Sequence, residues 1–304
     1  MREAAGGLRR RRLLHGGLAL AAAGLCPRWA KAAPPQRLIT LFQGATDTAV
    51  ALGIRPCAVV DSWSEKPTYR YLRAALAGVP HVGLETQPSL EAIALLQPDL
   101  IVASRFRHER VAGVFNQLCP TLMLEEVFEF RQTLALMGQA TGRQGQASAV
   151  QAAWDARVAG LAGRLRARFG QQWPLSVAVL DLRQDHLRAY LPGSFAGAVL
   201  RQLGFTWNAY SQQAKGVSLK ISNRESLPVV NADVFFVFGH GDGPALQRQY
   251  ASLSQHPIWQ RLDAPRHGQV WPVDGVAWVL AGGILGAQRM LDDIERSLLG
   301  EAPA

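Results

Sequence analysis

The sequence predicts an α/β protein of two similarly built lobes, each around a central, mostly parallel sheet, joined by one long bridging α-helix. Two observations carry this. The first is an internal repeat: Ser89-Leu-Glu-Ala-Ile-Ala-Leu-Leu-Gln-Pro-Asp-Leu-Ile-Val-Ala103 returns in degenerate form as Asn223-Arg-Glu-Ser-Leu-Pro-Val-Val-Asn-Ala-Asp-Val-Phe-Phe-Val237. In both copies a glutamate (Glu91, Glu225) precedes an aspartate (Asp99, Asp233) by eight residues and an apolar run follows, the pattern of a short helix feeding a buried strand. The second is a helical pattern between the copies, beginning after Gly142 with Ala149, Trp154, Val158, Leu161 and Leu165. Its roughly 25 residues reach about 37 Å at 1.5 Å per residue, enough to cross from one lobe to the other and stiff enough to restrict closure. The expected division is therefore a leader over 1–32, an N-terminal lobe over 33–128, linking helices over 129–170 and a C-terminal lobe over 171–304.

With 304 residues the chain can bury two cores, and 48% apolar against 18% charged residues describes a soluble globular protein. The net charge of +9 is unevenly placed: residues 1–32 hold seven arginines and lysines against Glu3, so +3 remains on the rest. A nucleic-acid binder keeps its basic face in the folded domain, and that class is set aside. The same N-terminus has the parts of a secretory signal: an arginine cluster, an apolar run from Leu13 to Leu25, and Ala30-Lys-Ala32 as a small-x-small cleavage site. The run is shorter than the roughly 18 residues of a spanning helix. Arg10-Arg-Arg-Leu-Leu14 also resembles a twin-arginine signal. Cys26 stands where a lipoprotein cysteine could sit, but Leu25 before it is a poor fit to such processing. Cys57 and Cys119 are then expected as buried thiols, although an exported chain would permit a disulfide.

In chain order, Arg37–Phe42 reads as the first strand, and Gln43-Gly-Ala-Thr-Asp47 opens a helix that ends at Gly53. Free backbone N–H groups at such a helix start suit an anion, which places Gln43 and Thr46 among candidate contacts; most such turns bind nothing. After a short strand at 57–60 comes a polar loop with Trp63, which either covers a ligand or packs on a neighbouring loop. Ser89 is the N-cap of the Glu91 helix, Pro98 stops it, and 100–103 is a buried strand. At the carboxyl end of that strand lie Arg105, Arg107 and His108, where open α/β sheets meet ligands. The alternative is a solvated helix start, although arginines there oppose the helix dipole. In the second half, 176–180 is a strand and 181–191 a hairpin with Arg183, Arg188 and Tyr190 near its ends. A helix over 193–204 follows, then Lys215, Lys220, the Glu225 helix, a strand over 234–238 and the loop Gly239–Pro244. The strand 269–274, Trp278 and a closing helix over 280–299 complete the chain.

Together the repeat, the bridging helix, His256-Pro-Ile-Trp-Gln-Arg-Leu262 and Gln269-Val-Trp-Pro-Val-Asp274 with Trp278 resemble the helix-linked substrate-binding proteins of siderophore, haem and cobalamin ABC importers. Ser104–His108 and Pro120–Leu124 look most like the ferric dicitrate-binding branch. The resemblance implies a ligand cleft between the lobes, a periplasmic monomer, and no catalysis, cofactor or resident metal. It also implies a membrane permease partner docked by Glu91 and Glu225; helix N-terminal carboxylates favoured by the dipole are the plainer account of those two residues. A ferric citrate-type chelate presents anionic oxygens around iron already filled by the chelator, so cationic donors are needed, and arginine pairs two oxygens at once. The candidates are Gln43, Thr46, Trp63, Arg105, Arg107, His108, Arg188, Tyr190, Lys220 and Trp278, with Arg224 in the wider pool. Other readings are a hydroxamate siderophore, haem or cobalamin, or direct Zn or Mn capture through His81, His108, His186, His240 and Asp242, whose spacing matches no metal motif.

Overall fold

The first half builds one sheet. In the computed structural model, which describes residues 35–239 and 244–300, its strands are β1 (Leu38–Thr40), β2 (Ala58–Asp61), β3 (His81–Leu84), β4 (Gln87–Pro88), β5 (Leu100–Ser104) and β6 (Thr121–Leu124). Residues 1–34, with the expected signal, Cys26 and the paired arginines, and the residues His240 and Asp242 lie outside the described residues. The strand order is β4-β3-β2-β1-β5-β6, parallel throughout except for the short β3–β4 pair. Helices α1 (Gln43–Ala51), α2 (Leu90–Leu95), α3 (Arg105–His108) and α4 (Ala112–Leu118) make the crossovers. Ser89 caps α2 by accepting the Ala92 N–H, as its position before the apolar run predicts.

Two helices then leave the sheet, α5 (Phe130–Ala140) and the 26-residue α6 (Gln144–Phe169). The second sheet holds β7 (Val177–Leu182), β8 (Leu187–Tyr190), β9 (Ser218–Ile221), β10 (Val234–Gly239) and β11 (Val270–Pro272), in the order β11-β10-β7-β8-β9. This second sheet is mixed. β11, β10 and β7 are parallel, but β7–β8 and β8–β9 are antiparallel. The short turn after Leu182 can only reverse the chain, since a parallel return needs a crossover of a dozen or more residues. Helices α7 (Phe195–Leu203), α8 (Ala209–Gln213), α9 (Pro244–Ser254), α10 (Pro257–Arg261), α11 (Asp263–Arg266) and α12 (Ile284–Ile294) cover it. The closing helix expected over 280–299 is in fact interrupted: a π-turn over Val276–Leu280 precedes Gly282-Gly283, and α12 starts only after them.

The repeat is an architectural unit. β5 and β10 both lie inside their sheets, and the aspartate before each fastens the start of the neighbouring strand. Asp99 accepts the Gln36 and Arg37 N–H groups at 2.7 and 2.9 Å, and Asp233 accepts the N–H and hydroxyl of Ser176, both at 2.7 Å. The two copies differ in their helices. The Glu225 segment is a 3-10 turn over Arg224–Val230 with Pro228 inside, because proline cannot donate the backbone bond that an α-helix needs there.

One hydrophobic core runs through both sheets and the linking helices. It joins Leu38, Phe42 and Val102 of the first half to Phe130, Trp154 and Leu161, and on to Val177, Phe195 and Phe236 of the second. Trp154 of α6 is 1% exposed, with Phe130 at 5.3 Å, and Phe130 in turn meets Phe195 at 5.7 Å. Separating the halves would expose this chain of rings, so the bridging helices form a packed joint.

Candidate functional site

A cleft of about 380 Å³ opens between the two sheets. Its floor is backbone: Gly44, in the first turn of α1, lies against Gly282, and a Cβ on Gly44 would stand 2.5 Å from the Gly282 carbonyl oxygen. Gly282 has φ +65°, a conformation that other residues rarely adopt. These glycines therefore let the two halves touch beneath the cleft.

The first-sheet wall comes from the carboxyl ends of parallel strands, where loops diverge and side chains can converge on a ligand. Gln43 follows β1, Trp63 follows β2, Glu85 follows β3, and Phe106 and Arg107 follow β5. Ser104 caps the turn that presents Arg107 by accepting its N–H. Arg107 Nε donates to Glu85 Oε1 at 3.0 Å, and its guanidinium lies 4.7 Å from the Phe106 ring centre and 5.2 Å from that of Trp63. Both rings are largely exposed, at 57% and 44%, so this wall is a cation held between aromatic faces.

Glu85 is 4% exposed, and its Oε2 accepts the Gln43 N–H at 3.1 Å. Burial raises its pKa above the ordinary carboxylate value, against the lowering effects of Arg107 and the Gln43 amide. The loop carrying it is tied down by His108. The His108 Nε2 donates to the Glu85 carbonyl at 2.8 Å while Nδ1 accepts the Ser104 N–H at 3.2 Å. Burial lowers the His108 pKa, which keeps the ring neutral in this arrangement.

The facing wall carries Arg183, Arg188, Tyr190, Ser194 and Phe195. Asp181, in β7 and fully buried, accepts from Arg183 Nε at 2.6 Å. Arg188 is opposite Asp181 in the β7–β8 register, and the Arg188 side chain interacts with the Tyr190 hydroxyl. Among the described residues Arg188 has no ion pair. Three arginines from both sheets thus face one space, two of them positioned by buried carboxylates. Val127, Phe128 and the segment Trp278–Leu280 close the rear. A wider groove of about 620 Å³ along α5 and α6 lacks such convergence, its Arg131 being paired with Asp155.

Of the residues singled out from sequence, the cleft brings together Gln43, Trp63, Arg107, Arg188, Tyr190 and Trp278. Trp278 is fully buried behind the cleft, where its Nε1 donates to Asp293 at 2.8 Å. The others lie elsewhere. Thr46 is buried against Thr40 and the Phe42 carbonyl. Arg105 pairs with Glu109 and Glu125 on the outer side of α3, because residues two apart in a helical turn point in opposing directions. His108 is the buried brace just described. Lys220 extends to Asp185 at 3.7 Å, and Arg224 donates to Ser252. Glu91 and Glu225 are exposed in the first turns of their segments, away from the cleft lining. The proposed metal ligands do not gather: His81 lies against Asp61 and His186 against Asp185, and no metal-competent cluster of three acidic, His or Cys side chains occurs among the described residues. Sequence reasoning missed Glu85, Phe106 and Arg183 as site residues. Arg183 could have been found from its place at the end of β7; Glu85 gave no signal, since its role depends on a strand end that reads as a turn.

The family of proteins described as periplasmic binding proteins matches residues 38–276. Over 289 residues the chain is 59% identical to the achromobactin-binding periplasmic protein of Dickeya dadantii (strain 3937), covering 94% of this chain and 95% of that protein. It is 30% identical to the Fe(3+) dicitrate-binding periplasmic protein FecB of Escherichia coli (strain K12), covering 85% and 83% respectively. The crystal structure of Staphylococcus aureus SirA complexed with staphyloferrin B superposes with a TM-score of 0.83 at 35% identity, over 88% of this chain and 94% of that one. Two mixed α/β sheets, a long helix between them and these similarities agree: the chain belongs to the periplasmic binding protein family.

Proposed function

We propose that this protein is the periplasmic component of an ABC importer, capturing an anionic ferric siderophore of the carboxylate type between its two sheets and delivering it to a membrane permease. The supporting observation is the convergence of Arg107, Arg183 and Arg188 on one cleft from both sheets. Iron is cargo here, already coordinated by its chelator, so the wall needs forked cationic donors. The aromatic faces of Trp63 and Phe106 suit the chelator's apolar parts. Relatives named for achromobactin and for ferric dicitrate binding, and a fold neighbour solved with staphyloferrin B, support the same ligand class. The lobes at 33–128 and 171–304 act as a monomer, exported by the segment at 1–32. No reaction is required; binding, modest closure and presentation suffice.

Trp63 on the rim and Trp278 at the rear make ligand entry visible as tryptophan quenching. Titration with ferric citrate and ferric achromobactin is expected to saturate with a Kd of about 1 µM or tighter. A response confined to ferric hydroxamates, haem, cobalamin or free Zn would overturn the proposal.

A further inference from the structure

We propose that Glu85 is the specificity-determining residue of this cleft, holding Arg107 in place and taking up one proton from solvent when an anionic ferric chelate pairs with Arg107. The inference rests on the ligand class proposed above and deepens it. Glu85 occupies an unusual position for a carboxylate in a site that receives anions. It lines the cleft yet is 4% exposed. Its Oε1 uses only the Nε–H of Arg107, at 3.0 Å, which leaves both terminal amino groups of that guanidinium for a ligand. Its Oε2 accepts the Gln43 N–H at the start of α1. An incoming anion bonded to Arg107 therefore stands one guanidinium away from a buried negative charge, with little water between them to screen the repulsion.

The other groups facing Glu85 do not relieve this. The Trp63 side chain adds a weak stabilisation of the charged form. Tyr69 stays neutral, its pKa raised by burial and further by Glu85. His108, bonded to the Glu85 carbonyl, is held neutral by burial. Arg107 is thus the cation that favours the charged form of Glu85, and a ligand competes for it. Burial has already raised the Glu85 pKa in the empty cleft; a bound anion raises it further. Protonation at Oε1 removes the repulsion while Oε2 keeps the Gln43 N–H. A neutral ligand leaves the Arg107–Glu85 pair undisturbed, so the residue discriminates by charge.

The test is calorimetric titration of the full chain with ferric citrate and with ferric achromobactin, in buffers of differing ionisation heat, between about pH 5 and pH 8. The native chain is expected to take up protons on binding, with affinity rising by up to about tenfold per pH unit lowered in the window where Glu85 is ionised in the free protein and protonated in the complex. Glu85→Gln keeps the side-chain shape but only one of the two acceptors, so it serves either the Gln43 N–H or the Arg107 Nε–H. It is expected to bind with an affinity that no longer rises as pH falls and to lose the Glu85 share of uptake, so that the difference between the two removes protonation of the chelator and of other groups. Binding by the native chain without proton uptake overturns the proposal even if the variant misfolds. Uptake of equal size in Glu85→Gln also overturns it. Absence of binding to either probe at any pH overturns the ligand class itself, a distinct outcome.

Discussion

The three cleft arginines have different surroundings and so separate binding from stability. Arg107 and Arg183 each face a carboxylate that is 4% and 0% exposed, respectively. Removing either cation leaves a buried charge poorly compensated, at a cost of about 3 kcal/mol or more. Arg107→Ala and Arg183→Ala are therefore expected to lose both affinity and several degrees of Tm. Among the described residues Arg188 has no such partner, and Arg188→Ala is expected to weaken ferric citrate binding by about 10-fold to 100-fold, the worth of a charged hydrogen bond, with Tm nearly unchanged. Equal Tm losses across the three variants would contradict this. Asp47 shows the same logic away from the cleft. It is fully buried, accepting from Tyr71 at 2.8 Å and from the Leu285 and Gly286 N–H groups at 2.8 and 2.9 Å. Burial nevertheless raises its pKa from 3.8 to about 6. Folding thus favours the protonated form: the contribution is full below pH 3.8, declines as pH rises and is flat above about pH 6, a change of about 3 kcal/mol. Urea unfolding of native and Asp47→Asn chains should converge or cross in that direction between about pH 4 and pH 7; parallel stability curves would refute it.

At the scale of elements, the bridging helix is fastened as well as packed. Arg157 of α6 donates to Asp292 at 2.5 Å and to Glu295 at 2.8 Å, and Arg164 also reaches Glu295. Glu295 is 5% exposed, whereas its arginines retain access to water. Glu295→Ala is therefore expected to cost about 1–3 kcal/mol, less than a fully buried pair would. Thermal unfolding should show a Tm lower by about 3–10 °C with chelate affinity intact; an unchanged Tm would show that the clasp contributes nothing. The period of apolar residues made α6 legible from sequence, and the Ser89 cap and Gly53 stop marked shorter helices. What periodicity could not register was the role of single residues: Pro228 turns the second copy of the repeat into a 3-10 segment, and Gly282-Gly283 splits the last helix. Both are local backbone effects that apolar spacing does not encode.

For the whole molecule, the repeat made the two-sheet plan readable, since each copy feeds a strand inside its own sheet. The cleft was legible only where topology alone decides placement. Arg107 and Trp63 follow parallel strands, and so could be placed; Arg105 could not be told from Arg107 without knowing which side of one helical turn faces inward. Charge type guided the choice of arginine, but Lys220 and Arg224 show that a cation near a hairpin has other partners available. Docking belongs at this scale too. Glu91 and Glu225 lie on different halves, both exposed. Glu91→Arg with Glu225→Arg is expected to abolish uptake in cells while leaving chelate binding in solution unchanged, and intact uptake would remove these residues from the permease surface. In crystals grown with ferric achromobactin, anomalous scattering at the iron edge is expected to give one site between Arg107, Arg183 and Arg188, with no protein atom coordinating the metal. Iron bound directly by histidine or carboxylate side chains, or lying outside this cleft, would contradict the account.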